Sequence, residues 1–403
     1  MKTTRTIIGL ILSIGSIFAQ APKVYINFVS HNEPGDNLQT SFPFNKMAPK
    51  VLQLASIIDA KGASWNLETC DGFAKGALNF QGATSNVFRT LEQPPYSDNM
   101  EIDPRNKQTL YPTIADLFHI LDSLGANPTK TLGGFIYSST TSTLPDWFQY
   151  QDTIQGVSYP NVKWKCNLMW GAGSIPPHDN DLNDYGIWMP DATNNFYNHN
   201  SNRSIWFIGN GCQPILALDS IENPQDIIAP LKYFLDSIQN GLLPQDKFYV
   251  YSITINQSHF GPMLFQKIST ICDSINSWGT NKIQWATLTQ KLDSFAVWQQ
   301  TPNDYSQWLC GQTSTGMEDF GNINTSYIYP NPFSLQTVLQ SKISLVNATL
   351  TIQNCLGQTV KQIKNISGQT VILHRDNLIS GLYFISLTQD NKIISTDKLI
   401  ITD

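Results

Sequence analysis

The chain contains few charged side chains and few histidines. Of its 403 residues, 25 are Lys or Arg, 31 are Asp or Glu and 6 are His, which leaves a net charge of −6. The acidic excess lies in the body of the chain, between a basic N-terminus and a slightly basic C-terminal segment. A body of this charge is not expected to bind nucleic acid or an anionic membrane surface, and neutral glycans fit it better.

The cysteines are widely and irregularly spaced, with no CxxC pair and no Cys/His ladder. They are Cys70, Cys166, Cys212, Cys272, Cys310 and Cys355. A structural zinc site of the Cys/His type is therefore not predicted. Export would allow disulfides, but five of the six cysteines precede the C-terminal segment, so at least one of those five has no partner among them.

Long apolar runs are also missing, because no stretch of about eighteen consecutive apolar residues follows the N-terminus. We therefore expect no transmembrane segment. The N-terminus carries Lys2 and Arg5, an apolar stretch over residues 7–18, and small side chains at Ala19 and Ala21. This order is typical of a secretory signal peptide, which we assign to residues 1–20.

Residues 327–403 have the pattern of an all-β segment. Short β-branched runs at 348–352, 360–364, 370–373 and 383–387 are separated by turn residues, with no helical period between them. Strands this close predict a small antiparallel sandwich of the Ig-like kind. A carbohydrate-binding or adhesive sandwich that stays attached to the protein would show the same pattern.

Three motifs in this segment carry a family resemblance: YPNPF at 329–333, NCLGQ at 354–358 and GLYF at 381–384. With them, the segment resembles the C-terminal sorting domain of the type IX secretion system of Bacteroidetes. The resemblance implies that the type IX machinery is a partner of residues 327–403. It also implies export through the periplasm to the cell surface or the medium.

The body alternates predicted strands with predicted helices. Strands are expected at 23–29, 64–67, 131–137, 204–209, 248–255 and 283–287, and helices at 47–60, 111–124, 227–238, 265–278 and 288–298. Such βα units predict an α/β fold with a mostly parallel sheet, which we take as a distorted (β/α) barrel over residues 21–298. Residues 299–326, rich in Gln, Asn, Thr, Ser and Gly, are predicted to be a linker.

Polar side chains follow several of these strands, where the reactive groups of such barrels lie. The candidates are His31, Glu33, Asp103, His178, Asp179, Asn210 and His259. Glu33 and Asp103 could serve as general base or nucleophile, and a histidine as acid or metal ligand. Loop histidines beside Asn and Asp are also common as turn residues and caps, so this alternative stays open.

Tryptophans are a second candidate group, since flat indole rings cover the faces of sugar rings. Trp170 and Trp188 are the candidates for stacking on a glycan, with Arg105 and Asn210 as polar substrate contacts. Burial in the core is the commoner role of tryptophan.

The body resembles the polysaccharide-deacetylase-like proteins of the glycoside hydrolase/deacetylase barrel superfamily. The resemblance rests on residues 99–107, 111–117 and 133–135, preceded by 31–34 and followed by 178–190. It implies a distorted (β/α) barrel and a divalent metal such as zinc, held by two His and one Asp, with a carboxylate as base. On this chain the ligands would be His31, Asp103 and His178, or His259.

The chain departs from that family where histidines are expected, since Met100, Arg105 and Lys107 surround Glu101 and Asp103. These side chains cannot replace a neutral imidazole on zinc. The metal is therefore either held by the set His31, Asp103 and His178, with His259 as a further candidate, or absent.

The first hypothesis is a secreted hydrolase acting on a polysaccharide, either deacetylase-like or a glycosidase. The alternative is a non-catalytic glycan-binding or surface protein with a degenerate deacetylase-like barrel. A third is a cysteine-dependent hydrolase around Cys212.

Overall fold

The computed structural model describes residues 21–33, 36–105, 110–134, 147–171, 185–192, 196–211, 217–308, 326–354, 358–389 and 392–403. The chain forms two compact units, residues 1–314 and residues 315–403. Each is described here by itself. Within the described ranges, every helix is too short or too polar to cross a bilayer.

The described residues of the first unit contain seven α-helices and twelve strands. The helices are α1 Ser41–Lys61, α2 Asp71–Phe80, α3 Val87–Leu91, α4 Ile114–Ser123, α5 Gln225–Gln239, α6 Pro262–Asn276 and α7 Leu288–Trp298. The strands are β1 Val24–His31, β2 Trp65–Thr69, β3 Met100–Pro104, β4 Thr131–Leu132, β5 Ile154–Gln155, β6 Lys163–Trp164, β7 Leu168–Trp170, β8 Gly186–Trp188, β9 Trp206–Ile208, β10 Tyr249–Asn256, β11 Ile283–Trp285 and β12 Ser306–Gln307.

A parallel sheet in the order β10-β1-β2-β3 forms the centre of this unit, with β11 also pairing β1. β1 is buried along nearly its whole length, because it is apolar on both faces. Continuous apolar strands of this kind are typical of parallel sheets with both faces covered. The mixed α/β architecture and the parallel sheet expected from the sequence are thus confirmed.

A second sheet runs in the order β12-β8-β9-β7-β4. It meets one edge of the first sheet through a parallel bridge between Arg105, just after β3, and Gly133, just after β4. It meets the other edge where Ser252 of β10 donates its backbone N–H to the carbonyl oxygen of Asn210. A parallel bridge between Leu218 and Ile255 lies beside that contact.

Two segments differ from the sequence prediction. The residues around Glu101 and Asp103, for which no strand is predicted, form strand β3 in register with β2. The predicted linker does not begin at residue 299, because β12 pairs with β8 and the Trp308 ring packs against Phe234 and Tyr249. Residues 309–325 lie outside the described part of the chain.

The second unit is an all-β curled sheet. Its antiparallel strands are β13 Ser326–Tyr329, β14 Gln336–Gln353, β15 Thr359–His374, β16 Gly381–Gln389 and β17 Lys392–Ile401. The long β14 pairs with β15 through several register shifts, as expected where bulges re-aim a strand. Its buried face has an aliphatic core that includes Leu339, Leu350, Ile385 and Leu399.

Candidate functional site

Polar side chains converge at the carboxyl ends of β1, β2 and β3. His31, the last residue of β1, is the register partner of Glu68 on β2, and Glu68 is the partner of Asp103 on β3. Parallel strands end on one side of a sheet, so residues that follow them are brought together there. Glu33 lies two residues beyond His31 at the same edge.

His31 lies between two glutamates. Its Nε2 atom is 3.4 Å from Glu33 Oε1, and its Nδ1 atom is 3.7 Å from Glu68 Oε2. The two carboxyl groups differ in environment, since the Glu33 side chain is 40% exposed and that of Glu68 is fully buried. The imidazole therefore joins a carboxyl group in contact with solvent to one that is not.

Arg105 fixes the exposed member of this group. Its guanidinium is almost fully buried and donates to Glu33 Oε1 at 2.6 Å and to the backbone oxygen of Asn32 at 2.5 Å. Burial alone would raise the pKa of Glu33. The hydrogen bonds and positive charges of His31 and Arg105 outweigh burial and hold that pKa far below its usual range. Glu33 is therefore ionised at neutral pH.

Glu68 has the opposite protonation tendency. Burial raises its pKa well above the usual range, and the charges of Asp103 and Glu33 raise it further. The nearby Arg105 charge and the backbone N–H of Gly134 oppose this rise without cancelling it. Two carboxyl groups on one imidazole are thus pushed apart in pKa, an arrangement that separates an acid from a base.

A glycine pair after β4 makes room for these side chains. A Cβ atom on Gly133 would lie 2.3 Å from Cδ of Glu68, and one on Gly134 would lie 2.6 Å from Nε of Arg105. Gly134 also has a φ of +65°, which side chains with a Cβ rarely adopt. The sequence therefore needs glycine here so that Glu68 and Arg105 can fill the space.

A second polar layer lies beneath the first. Asp103 is fully buried and accepts hydrogen bonds from Asn66 Nδ2, at 2.8 Å, and from Thr129 Oγ1. Burial, with the charge of Glu101, raises the pKa of Asp103. Deeper still, the buried Lys291 amine donates to Asn27 and to two acceptors on β10. These contacts position Asp103 as an interior group and not at the solvent edge expected for a base.

His259 lies on the same side of the sheet, after β10, but it contacts a different loop. Its Nδ1 atom is 2.8 Å from Ser220 Oγ. No three His, Cys, Asp or Glu side chains of the described ranges are grouped to hold a metal ion. His178 and Asp179 lie outside those ranges, as does Cys212. The described candidates His31, Asp103 and His259 form no such group. His259 contacts Ser220, Asp103 accepts from Asn66 and Thr129, and the fixed positive charge of Arg105 on Glu33 opposes a cation beside His31.

The tryptophan prediction requires correction. Both rings lie in the core: Trp170 donates to Ser252 Oγ at 3.1 Å, and Trp188 donates to the backbone oxygen of Phe196 at 2.8 Å. Neither indole presents a face to a sugar, because packed neighbours cover both. Asn210 is also buried, and its carbonyl oxygen is used in the backbone contact with β10. Arg105 contacts Glu33 and Asn32 in place of solvent.

Sequence reasoning missed Glu68. A signal was available, because Glu68 directly follows the predicted strand over residues 64–67 and so shares the edge position of His31. The glycine pair Gly133-Gly134 was a second signal, since two glycines at a strand end indicate close approach of other groups.

Comparison with known proteins identifies one part of the chain. A family model described as a secretion system C-terminal sorting domain matches residues 327–402. These residues are a type IX sorting domain. The sorting domain implies export to the cell surface or outside, as expected from its motifs. No curated protein matches the chain by sequence.

The similarity of this protein to solved structures is weaker than the match of its sorting domain to the family model. PorZ, a surface component of the type-IX secretion system of Porphyromonas gingivalis, is 14% identical with a TM-score of 0.18, and the match covers 26% of this chain and 14% of PorZ. A protein classed as a polysaccharide deacetylase from Pseudomonas aeruginosa PAO1 is 11% identical over 68% of this chain and 91% of its own, with a TM-score of 0.42. Another, from Mycobacterium smegmatis, is 13% identical over 71% and 95%, with a TM-score of 0.38.

Proposed function

We propose that the first unit is a hydrolase of a polysaccharide, delivered outside the cell by the sorting domain. The observation that carries the proposal is the group His31, Glu33 and Glu68, in which one imidazole lies 3.4 Å from a carboxyl group whose pKa is lowered and 3.7 Å from one whose pKa is raised. General acid–base hydrolysis needs such a pair near neutral pH. The hydrogen bonds that join the two sheets at both edges support a distorted barrel around this group.

In this proposal Glu33 is the general base that accepts a proton from the attacking water. The imidazole of His31 presents Nε2 to Glu33, where it donates to the carboxylate, and turns Nδ1 toward Glu68. Glu68 is too deeply buried to touch substrate, so it acts as a positioning residue whose carboxyl group, 3.7 Å from Nδ1, sets the electrostatic environment of the His31 ring. Zinc stays a prediction, and no step here depends on it.

The test compares the full chain with Glu33→Gln on neutral polysaccharides and their acetylated forms. Release of reducing ends reports glycosidic cleavage, and release of acetate reports deacetylation. Loss of a general base is expected to lower turnover by about 10²–10⁴-fold. Glu222→Gln, which is outside the group, is the matched control and keeps wild-type turnover. Equal turnover of Glu33→Gln and wild type would refute the assignment.

A non-catalytic glycan-binding protein is the second candidate. It is favoured by the 2.6 Å contact that ties Glu33 to Arg105, because a carboxylate so strongly paired is a weak base. Binding of a polysaccharide without release of acetate or reducing ends would support this candidate over the hydrolase.

A further inference from the structure

A cavity of about 420 Å³ opens near the amino-terminal ends of β2 and β3, whereas His31 and Glu33 lie at the carboxyl ends of the strands. It lies where β2 and β3 begin and where β11 ends beside the start of β1. The first turns of α7 form its remaining wall. It is separate from the candidate catalytic group, because parallel strands carry the two sites at opposite ends.

Trp285 gives this cavity an aromatic wall held in one orientation. Its ring stacks on Phe28, with centroids 5.5 Å apart and planes at 19°. Its Nε1 atom donates to Asn276 Oδ1 at 2.7 Å. The stacking on Phe28 holds the face of the indole, and the hydrogen bond to Asn276 holds its edge. The partly exposed ring of Trp285 is therefore a rigid surface that lines the cavity.

Polar side chains around the indole are available to a ligand. Asp98, Gln284 and Asp293 are exposed, line the cavity, and make no side-chain hydrogen bond to other described residues. Gln290 has a different role: it accepts from Thr287 N and donates to the backbone oxygen of Asp98 at 3.4 Å. It thereby ties the loop before β3 to α7 and fixes the width of the cavity.

A second cavity, of about 520 Å³, adjoins the first, and Asp293 lines both. Its wall adds Ser97, Asn127 and Asn167, with Glu92, Glu101 and Lys130 as ionisable groups. We name the two adjoining cavities the α7 trough. Carboxyl groups outnumber cations along it, so a uronic-acid or sulfated glycan would be repelled.

We propose that the α7 trough is a non-catalytic binding site for a neutral polysaccharide chain. A flat indole covers the apolar face of a hexose, while carboxylate and amide groups hydrogen-bond adjacent hydroxyls. Two connected cavities fit several sugar units in a row. The proposal rests on the proposed function only in taking a polysaccharide as the ligand, because the trough itself needs no catalysis.

The test measures binding of the full chain by calorimetry to hexasaccharides of β-1,4-linked glucose, mannose, xylose and N-acetylglucosamine, with oligogalacturonate as the anionic probe. At least one neutral hexasaccharide should bind and oligogalacturonate should not. Trp285→Ala should weaken that binding about tenfold. Gln284→Ala and Asp293→Ala, which are exposed and do not disturb packing, should each weaken it several-fold.

Trp298→Ala is the matched control, because Trp298 also stacks on one phenylalanine but lies outside the trough. Its affinity should equal that of the wild type. The proposal is overturned if no neutral hexasaccharide binds, or if the Gln284 and Asp293 variants bind as tightly as the wild type. Turnover by Glu33→Gln reports on catalysis and binding by Gln284→Ala and Asp293→Ala reports on the trough, so a failure of catalysis and a failure of the trough give different results.

Discussion

Replacing Arg105 with methionine tests how the exposed carboxylate of the site is held. The substitution keeps an unbranched apolar stem and removes the guanidinium that contacts Glu33 and the backbone oxygen of Asn32. Removing one partner of a fully buried ion pair costs about 3–5 kcal/mol, whereas exposed pairs contribute about 0.2–1 kcal/mol. Because Glu33 is 40% exposed, we expect Arg105→Met to lose about 1–3 kcal/mol at pH 7.

The loss should shrink as the pH falls. In the folded wild type the pKa of Glu33 is lowered below its unfolded value of about 4.3. The stability that ionised Glu33 contributes to the fold is therefore fully present above about pH 4.3, and it is lost progressively as the pH falls toward the folded pKa. Without Arg105, burial pushes the pKa of Glu33 upward, and that contribution disappears. The difference in unfolding free energy between wild type and variant should therefore narrow from pH 7 to pH 3.

Urea unfolding at pH 7 and pH 3, followed by tryptophan fluorescence, measures both effects. Arg203→Met is the matched control, because Arg203 lies outside the site and forms a partly exposed ion pair with Asp191. The distance between Arg203 Nη2 and Asp191 Oδ1 is 3.3 Å. Its loss should not exceed about 1 kcal/mol. Equal stability of Arg105→Met and wild type at pH 7 would show that the contact with Glu33 is not formed in solution.

Three more predictions concern the interior. Gly133→Ala should lose about 1–3 kcal/mol in urea unfolding because its Cβ would meet Glu68, whereas Gly261→Ala, with its nearest atom at 3.9 Å, should be nearly neutral. Burial lowers the pKa of Lys291, so the unfolded chain binds more protons than the folded chain. The free energy of unfolding of the wild type should therefore rise from pH 6 to pH 9. In Lys291→Met the rise that is due to this lysine should be missing. Trp188→Ala should lose about 3–5 kcal/mol without changing glycan affinity in the folded fraction; weaker binding there would restore its sugar-stacking role.

The elements with strong apolar periodicity could be predicted from the sequence. β1, β10 and α7 lie within one or two residues of their predicted bounds, because burial of their apolar faces decides their structure. α1 was predicted from residue 47 but begins at Ser41, since Phe44 is buried and extends the apolar face by a turn. Pro49 lies inside this helix, although proline usually favours a helix start.

β3 could not be predicted in the same way. Glu101 and Asp103 alternate with apolar residues, but two carboxyl groups in five residues are unusual in a buried strand. Their partners are distant in sequence: Glu101 accepts from Thr287, and Asp103 accepts from Asn66 and Thr129. Buried carboxyl groups persist only where such hydrogen bonds exist, and a single sequence does not show which residues will supply them.

The different behaviour of Glu33 and Glu68 follows from their depth in the sheet and not from their neighbours in sequence. Glu68 is the register partner of His31, so Glu33 lies two residues farther along, about 7 Å at the rise of a strand. At that distance, water and Arg105 stabilise the carboxylate of Glu33, whereas the side chain of Glu68 is fully buried in the interior. His31, the last residue of β1, lies where its imidazole can contact both Glu33 and Glu68. The end of β1 therefore holds an imidazole between two carboxyl groups whose pKa values are shifted in opposite directions, and a substitution that exposes Glu68 to solvent should reduce that difference.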